Sequence, residues 1–175
     1  MRFLLLAVNV VGGLAVLGSY AWGLMTHPGQ ADALWGGVPA AWRPWYGLSM
    51  LPAALGYLVF ASYLLFRVDP DATSFPGGLP YGALIVPFVM ILLPSALWMP
   101  LTFRFVEAGG EGLWIGIRVA LSLVGLGALS LLVMLAGIQP RVHPVHWGLS
   151  VAGAVAFLFQ TGVLDALAWT ARFRS

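Results

Sequence analysis

Five long apolar stretches fill almost all of this 175-residue chain, at about 3–24, 45–66, 81–103, 113–138 and 147–170. Each exceeds the ~18 to 20 residues that an α-helix, rising ~1.5 Å per residue, needs to cross ~30 Å of hydrocarbon. The spacing predicts an all-α polytopic membrane protein: one transmembrane domain, 1–175, built as a bundle of five transmembrane helices. Composition agrees. The hydrophobic fraction is 61%, the charged fraction 8% and the mean hydropathy +0.94, outside the range of soluble domains.

All eight basic residues are arginines: Arg2, Arg43, Arg67, Arg104, Arg118, Arg141, Arg172 and Arg174. A net charge of +2 spread this thinly cannot track phosphates, which excludes nucleic acid as a partner. Five spans place the amino terminus and the second and fourth loops on one side with Arg2, Arg67 and Arg141. The other side receives Arg43, Arg104, Arg172 and Arg174, with Arg118 just inside the membrane. The excess predicts a multi-pass protein with a cytoplasmic carboxyl terminus. The absence of cysteine excludes disulfides, thiolate metal sites and cysteine nucleophiles. The first stretch outruns a signal-peptide core and lacks a good small-x-small cleavage site, so it is expected to be a true span.

The first loop concentrates aromatic residues: Trp35-Gly36-Gly37, Trp42-Arg43-Pro44 and Trp45-Tyr46. Two readings fit, an interfacial aromatic belt or a folded lid over the mouth of the bundle. In the second loop, Asp69-Pro70-Asp71 and Pro76-Gly77-Gly78 read as solvated turns, two carboxylates alone making a weak cation site. The third stretch carries Pro87, Pro94 and Pro100, each removing a backbone donor. The fifth holds Gly148, Ala152 and Ala156 at four-residue spacing, a stripe expected to admit a neighbouring helix.

Asp165 lies deep in the fifth stretch, where an ionised carboxylate costs a few kcal/mol or more unless partnered. Arg118 lies near the start of the fourth stretch at comparable depth, so one expectation is an Arg118–Asp165 ion pair. The alternatives are a carboxylate facing a ligand or relaying a proton. His143 and His146 flank Pro144 at the entrance to the fifth stretch. They read as interfacial residues rather than metal ligands, so no metal site is expected. No GxSxG, HExxH, Walker or GxGxxG motif appears, and the residues make no positive case for an enzyme.

The chain resembles the tryptophan-rich sensory protein family, also called TspO/MBR or translocator protein, in a divergent form. Leu51-Pro52-Ala53-Ala54-Leu55-Gly56-Tyr57 is similar to that family's Leu-Tyr-Ser-Ala-Met-Gly-Tyr segment, matching at Leu51, Ala54, Gly56 and Tyr57. Ser95-Ala96-Leu97-Trp98 through Phe103 keeps the spacing of its Asn-x-x-Trp and phenylalanine pair, with Ser95 replacing Asn. Thr161, Leu164, Asp165 and Trp169 keep the spacing of its fifth-span motif, with Asp165 replacing Asn. The double proline between tryptophans in the family's first loop is reduced to Pro39 and Trp42.

The resemblance implies a bundle, often a homodimer, whose pocket opens beneath the first loop and takes a porphyrin, sterol or isoprenoid-like molecule. Trp42, Trp45, Tyr57, Trp98 and Trp169 would supply aromatic faces, while Ser95, Arg118 and Asp165 would orient polar edges. No cofactor is required on this reading, a bound porphyrin or lipid being the expected guest. Membrane lipids and a hydrophobic small molecule are the expected partners. The alternative is an accessory subunit of a larger membrane complex with no ligand of its own. A third reading is a membrane enzyme on a lipid or isoprenoid, with Asp165 as acid or base.

Overall fold

Each apolar stretch becomes a helix long and apolar enough to span a membrane. The computed structural model describes residues 1–174. Helix α1 covers Arg2–Thr26, α2 Arg43–Phe66, α3 Ile85–Ala108 and α4 Glu111–Ala136. The fifth span begins as α5, Pro144–Leu158, becomes a π-helix over Phe159–Trp169 and closes with a short turn, Thr170–Arg172. Most helix ends lie beyond the apolar stretches, because hydropathy marks only the lipid-facing length while backbone hydrogen bonding continues to a breaker. Gly109 and Gly110, at φ +65° and +102°, end α3 and admit α4. Pro44 and Pro144 stand in the first turns of α2 and α5, where no backbone donor is needed. Helix α3 continues through Pro94 and Pro100.

Helix α3 packs between α1 and α4, α2 packs along α5, and α4 joins the two halves by touching α5 and the π segment. Helix α1 buries little beyond Leu5 and Gly23 and turns Val11, Leu14 and Leu17 outward. The tightest helix contact is glycine on glycine. A Cβ on Gly56 would lie 2.7 Å from Gly153 Cα, so only bare backbone fits there. The stripe expected to serve this purpose does not: Gly148 and Ala152 are exposed, and the approach is made by Gly153, one residue round the helix.

Two apolar cores divide the bundle along its length. One, toward the amino-terminal face, centres on Phe60, Leu64, Phe88, Leu131 and Leu135. Its polar groups are paired: Tyr63 donates to Val142 O at 3.0 Å, Tyr81 to Leu64 O at 2.9 Å and Arg2 to Val68 O at 2.7 Å. The second loop closes this end, with β1 (Ser74–Phe75) antiparallel to β2 (Leu79–Pro80) and Ser74 bridging to Gln139. Asp69 Oδ1 accepts the Asp71 N–H at 3.0 Å, the turn expected there. The other core, toward the carboxyl-terminal face, gathers Val38, Tyr46, Trp114, Leu121, Trp169 and Phe173.

Candidate functional site

The first loop folds over the carboxyl-terminal core as a pinned cover. It forms a 3-10 turn at Ala31–Trp35, followed by Gly36 at φ +51°. A side chain at Gly36 would be strained and would come 2.8 Å from Phe173 Cγ, so glycine lets the loop settle on that ring. Three hydrogen bonds fix the cover. Trp169 Nε1–H donates to Leu34 O at 2.9 Å, Gly37 N–H to Phe173 O at 3.1 Å and Arg43 Nε–H to Val38 O at 3.3 Å. Asp32 lies 3.7 Å from the Arg43 guanidinium.

Beneath this cover is a cavity of about 290 Å³ walled by Tyr20, Trp35, Tyr46, Trp98, Asp165 and Trp169. Met50, Met99 and Leu121 complete its apolar lining. The rings meet at angles rather than face to face: Trp98 and Trp169 at 5.8 Å and 70°, Trp35 and Tyr46 at 5.8 Å and 86°. Edge-to-face packing suits aromatic quadrupoles and holds the rings as a rigid wall. Tyr46 O–H donates to Leu164 O at 3.0 Å, which ties α2 to the π segment.

Asp165 is the acid of the chamber wall, and a short relay reaches it from Ser49, which lines an outer groove between α2 and the fifth span. Ser49 Oγ–H donates to Gln160 Oε1 at 2.5 Å, and Gln160 Nε2–H donates to Asp165 Oδ1 at 2.9 Å. In an α-helix residues five apart diverge by about 140°. The π-helix, whose bonds run from i to i+5, brings them back to neighbouring positions and makes the Gln160–Asp165 contact local. Asp165 Oδ2 has no hydrogen-bond partner among the described residues. Trp98 Nε1–H is buried without an acceptor among them, a condition that costs about 1 to 3 kcal/mol.

Three of the expected ligand-binding residues, Trp98, Asp165 and Trp169, therefore meet in one chamber. Trp42 and Trp45 do not reach it. They line an open groove of about 500 Å³ on the outer side, between α2 and the fifth span, with Tyr46, Pro52, Phe159 and Leu164. Tyr57 lies in the other core, donating to Asn9 Oδ1 at 2.7 Å among Phe60, Phe88 and Phe157. Ser95 is half-buried on α3, one turn from Trp98 and outside the chamber wall.

The Arg118–Asp165 ion pair is not formed. Arg118 is exposed on the outer face of α4, in a shallow groove with Ile115, Val119, Ser122 and Leu123, while Asp165 faces inward to Gln160. Its place about two turns from the start of α4 lets the guanidinium snorkel to the headgroups, which removes the need for a buried counter-charge. His146 Nε2 lies 3.2 Å from both Ser62 Oγ and Val59 O, joining α5 to α2.

Tyr20 was not singled out from sequence, and Trp35 and Tyr46 only as parts of the aromatic first loop. The Trp35-Gly36-Gly37 run was the available signal for the cover; Gln160 stands out with Thr161 and Asp165 as a polar cluster late in the fifth stretch, but its contact with Asp165 was readable only with π-helical spacing in hand. No protein-family model, curated protein or solved structure matches the chain.

Proposed function

We propose that this protein is a non-covalent membrane receptor or carrier that holds a small, flat, largely apolar molecule in the chamber beneath its first loop. The mode of binding is the one expected of a divergent TspO-like protein. One observation carries the reading: an aromatic chamber in a lipid-embedded bundle that also holds a carboxylate oxygen without a protein partner. Ligand pockets combine apolar walls with a few converging polar groups, and an intramembrane ionisable residue marks a functional position by default. At about 290 Å³ the chamber falls just below the ~300 to 1,000 Å³ typical of ligand pockets, which favours one or two rings over a whole tetrapyrrole. The positive-inside bias would open the covered face to the cytoplasm.

The test is direct. The full chain is purified in mild detergent and examined by absorbance and native mass spectrometry for a retained small molecule, then titrated with small aromatic probes, a sterol and protoporphyrin by tryptophan fluorescence. Saturable quenching that weakens several-fold in Trp98→Ala, but not in Trp45→Ala, supports the chamber. Stoichiometric foreign chains, no small molecule and no saturable probe would instead establish the accessory-subunit reading.

A further inference from the structure

We infer that the chamber's ligand is an organic cation, a protonated or quaternary amine on a one- or two-ring apolar body, with its ammonium group held between Asp165 Oδ2 and the surrounding aromatic faces. The inference rests on the chamber being a binding site and specifies the charge of what it takes. The lining contains one carboxylate and, among the described residues, no arginine or histidine.

The nearby cations are directed elsewhere. Arg118 faces outward, Arg43 engages Val38 O and lies near Asp32, Arg174 bonds Glu111 at 2.8 Å, and the Arg172 guanidinium lies 4.6 Å from the Trp42 ring centre. His27 stacks on Phe103 at 4.0 Å and meets Glu107 at 3.0 Å. The carboxylate thus lacks a protein counter-charge within its own cavity. Its hydrogen bond from Gln160 holds one oxygen in place and leaves the other uncommitted.

The walls point the same way. Tryptophan and tyrosine faces attract cations through the ring quadrupole, tryptophan most strongly, and cages of such rings suit ammonium groups. Trp35, Trp98 and Trp169 with Tyr20 and Tyr46 supply five rings around one acid. An anionic guest would meet both the carboxylate and the negative ring faces in a medium of low dielectric, where like charges repel far more than in water. The carboxylates of a porphyrin are therefore disfavoured on charge as well as on size.

The experiment uses the full chain in phosphatidylcholine nanodiscs, with empty discs as the partition control. Benzyltrimethylammonium, its uncharged isostere neopentylbenzene and the anion benzenesulfonate are titrated by tryptophan fluorescence. The cation should bind at least tenfold tighter than the isostere, and the anion weaker than both. Asp165→Asn should remove at least tenfold of the cation's affinity and leave the isostere within about twofold. Equal affinity of cation and isostere for the wild-type chain overturns the inference while leaving the chamber reading intact, and this comparison needs no variant to fold. Saturable binding by none of the probes overturns both.

Discussion

Trp169→Phe separates the hydrogen bond that pins the first loop from the packing beneath it. Phenylalanine keeps an aromatic ring among Trp98, Trp114 and Phe173 but cannot donate to Leu34 O, now 2.9 Å from the indole nitrogen. A net hydrogen bond contributes ~0.5 to 1.5 kcal/mol, and a buried carbonyl left unpaired costs ~1 to 3 kcal/mol. Leu34 is only half-buried, so the expected loss is about 1 to 2 kcal/mol of local stability, or roughly a 5- to 30-fold rise in opening of the loop. Hydrogen exchange followed by mass spectrometry reads this at the amides of Ala33, Gly36, Gly37 and Val38, all bonded in the closed loop. Trp147→Phe is the control, since it removes an equivalent 2.9 Å bond to Leu135 O at the opposite face and should leave the loop unchanged. Unaltered exchange across 33–38 in Trp169→Phe would show that the loop is held by something other than this bond.

Gly56→Ala should cost about 1 to 3 kcal/mol in unfolding assays, because its methyl group would strike the Gly153 backbone, whereas Gly148→Ala should stay within about 0.5 kcal/mol. Arg118→Met and Asp165→Asn should combine additively to within about 0.5 kcal/mol, since the two side chains do not meet; a coupling above about 1 kcal/mol would restore the ion pair. Reporter fusions at the termini should place them on opposite sides of the membrane with the carboxyl terminus cytoplasmic, and a shared side would remove the five-span topology.

The spans were legible because length and hydropathy act along the helix axis, the coordinate that sequence records best. Asp165 could be picked out because a carboxylate inside such a span is conspicuous, whereas Trp98 and Trp169 were marked through the resemblance to TspO-like motifs. The Arg118–Asp165 pairing failed for a geometric reason: equal depth says nothing of direction around the axis. Helix α4 turns Trp114, Ile117, Leu121 and Val124 inward, and Arg118 follows Ile117 by about 100°, enough to carry it to the outer face. The Gly148 stripe failed likewise, since small residues on either side of α5 look equally suited to close packing until the partner Gly56 is located. The π segment was beyond reach, because any helical reading of 159–169 assumes 3.6 residues per turn.

The distribution of unfavourable local features gives the covered end its significance. The amino-terminal core conceals Tyr57, Tyr63, Tyr81 and Trp147, and each donates to a named acceptor. The carboxyl-terminal end concentrates an eleven-residue π-helix, an indole N–H without an acceptor and a carboxylate with one oxygen uncommitted. Any one of these would be tolerable alone, since proteins carry occasional unsatisfied groups and π turns. They converge on one cavity, and such departures collect where function constrains a sequence more tightly than stability does. Ser49 and Gln160 stand behind the carboxyl group. Their relay spans α2 and the π segment to fix a single carboxyl oxygen and leave the other uncommitted. A side chain needed only for packing would have no use for that precision, whereas one that must meet a guest of opposite charge would.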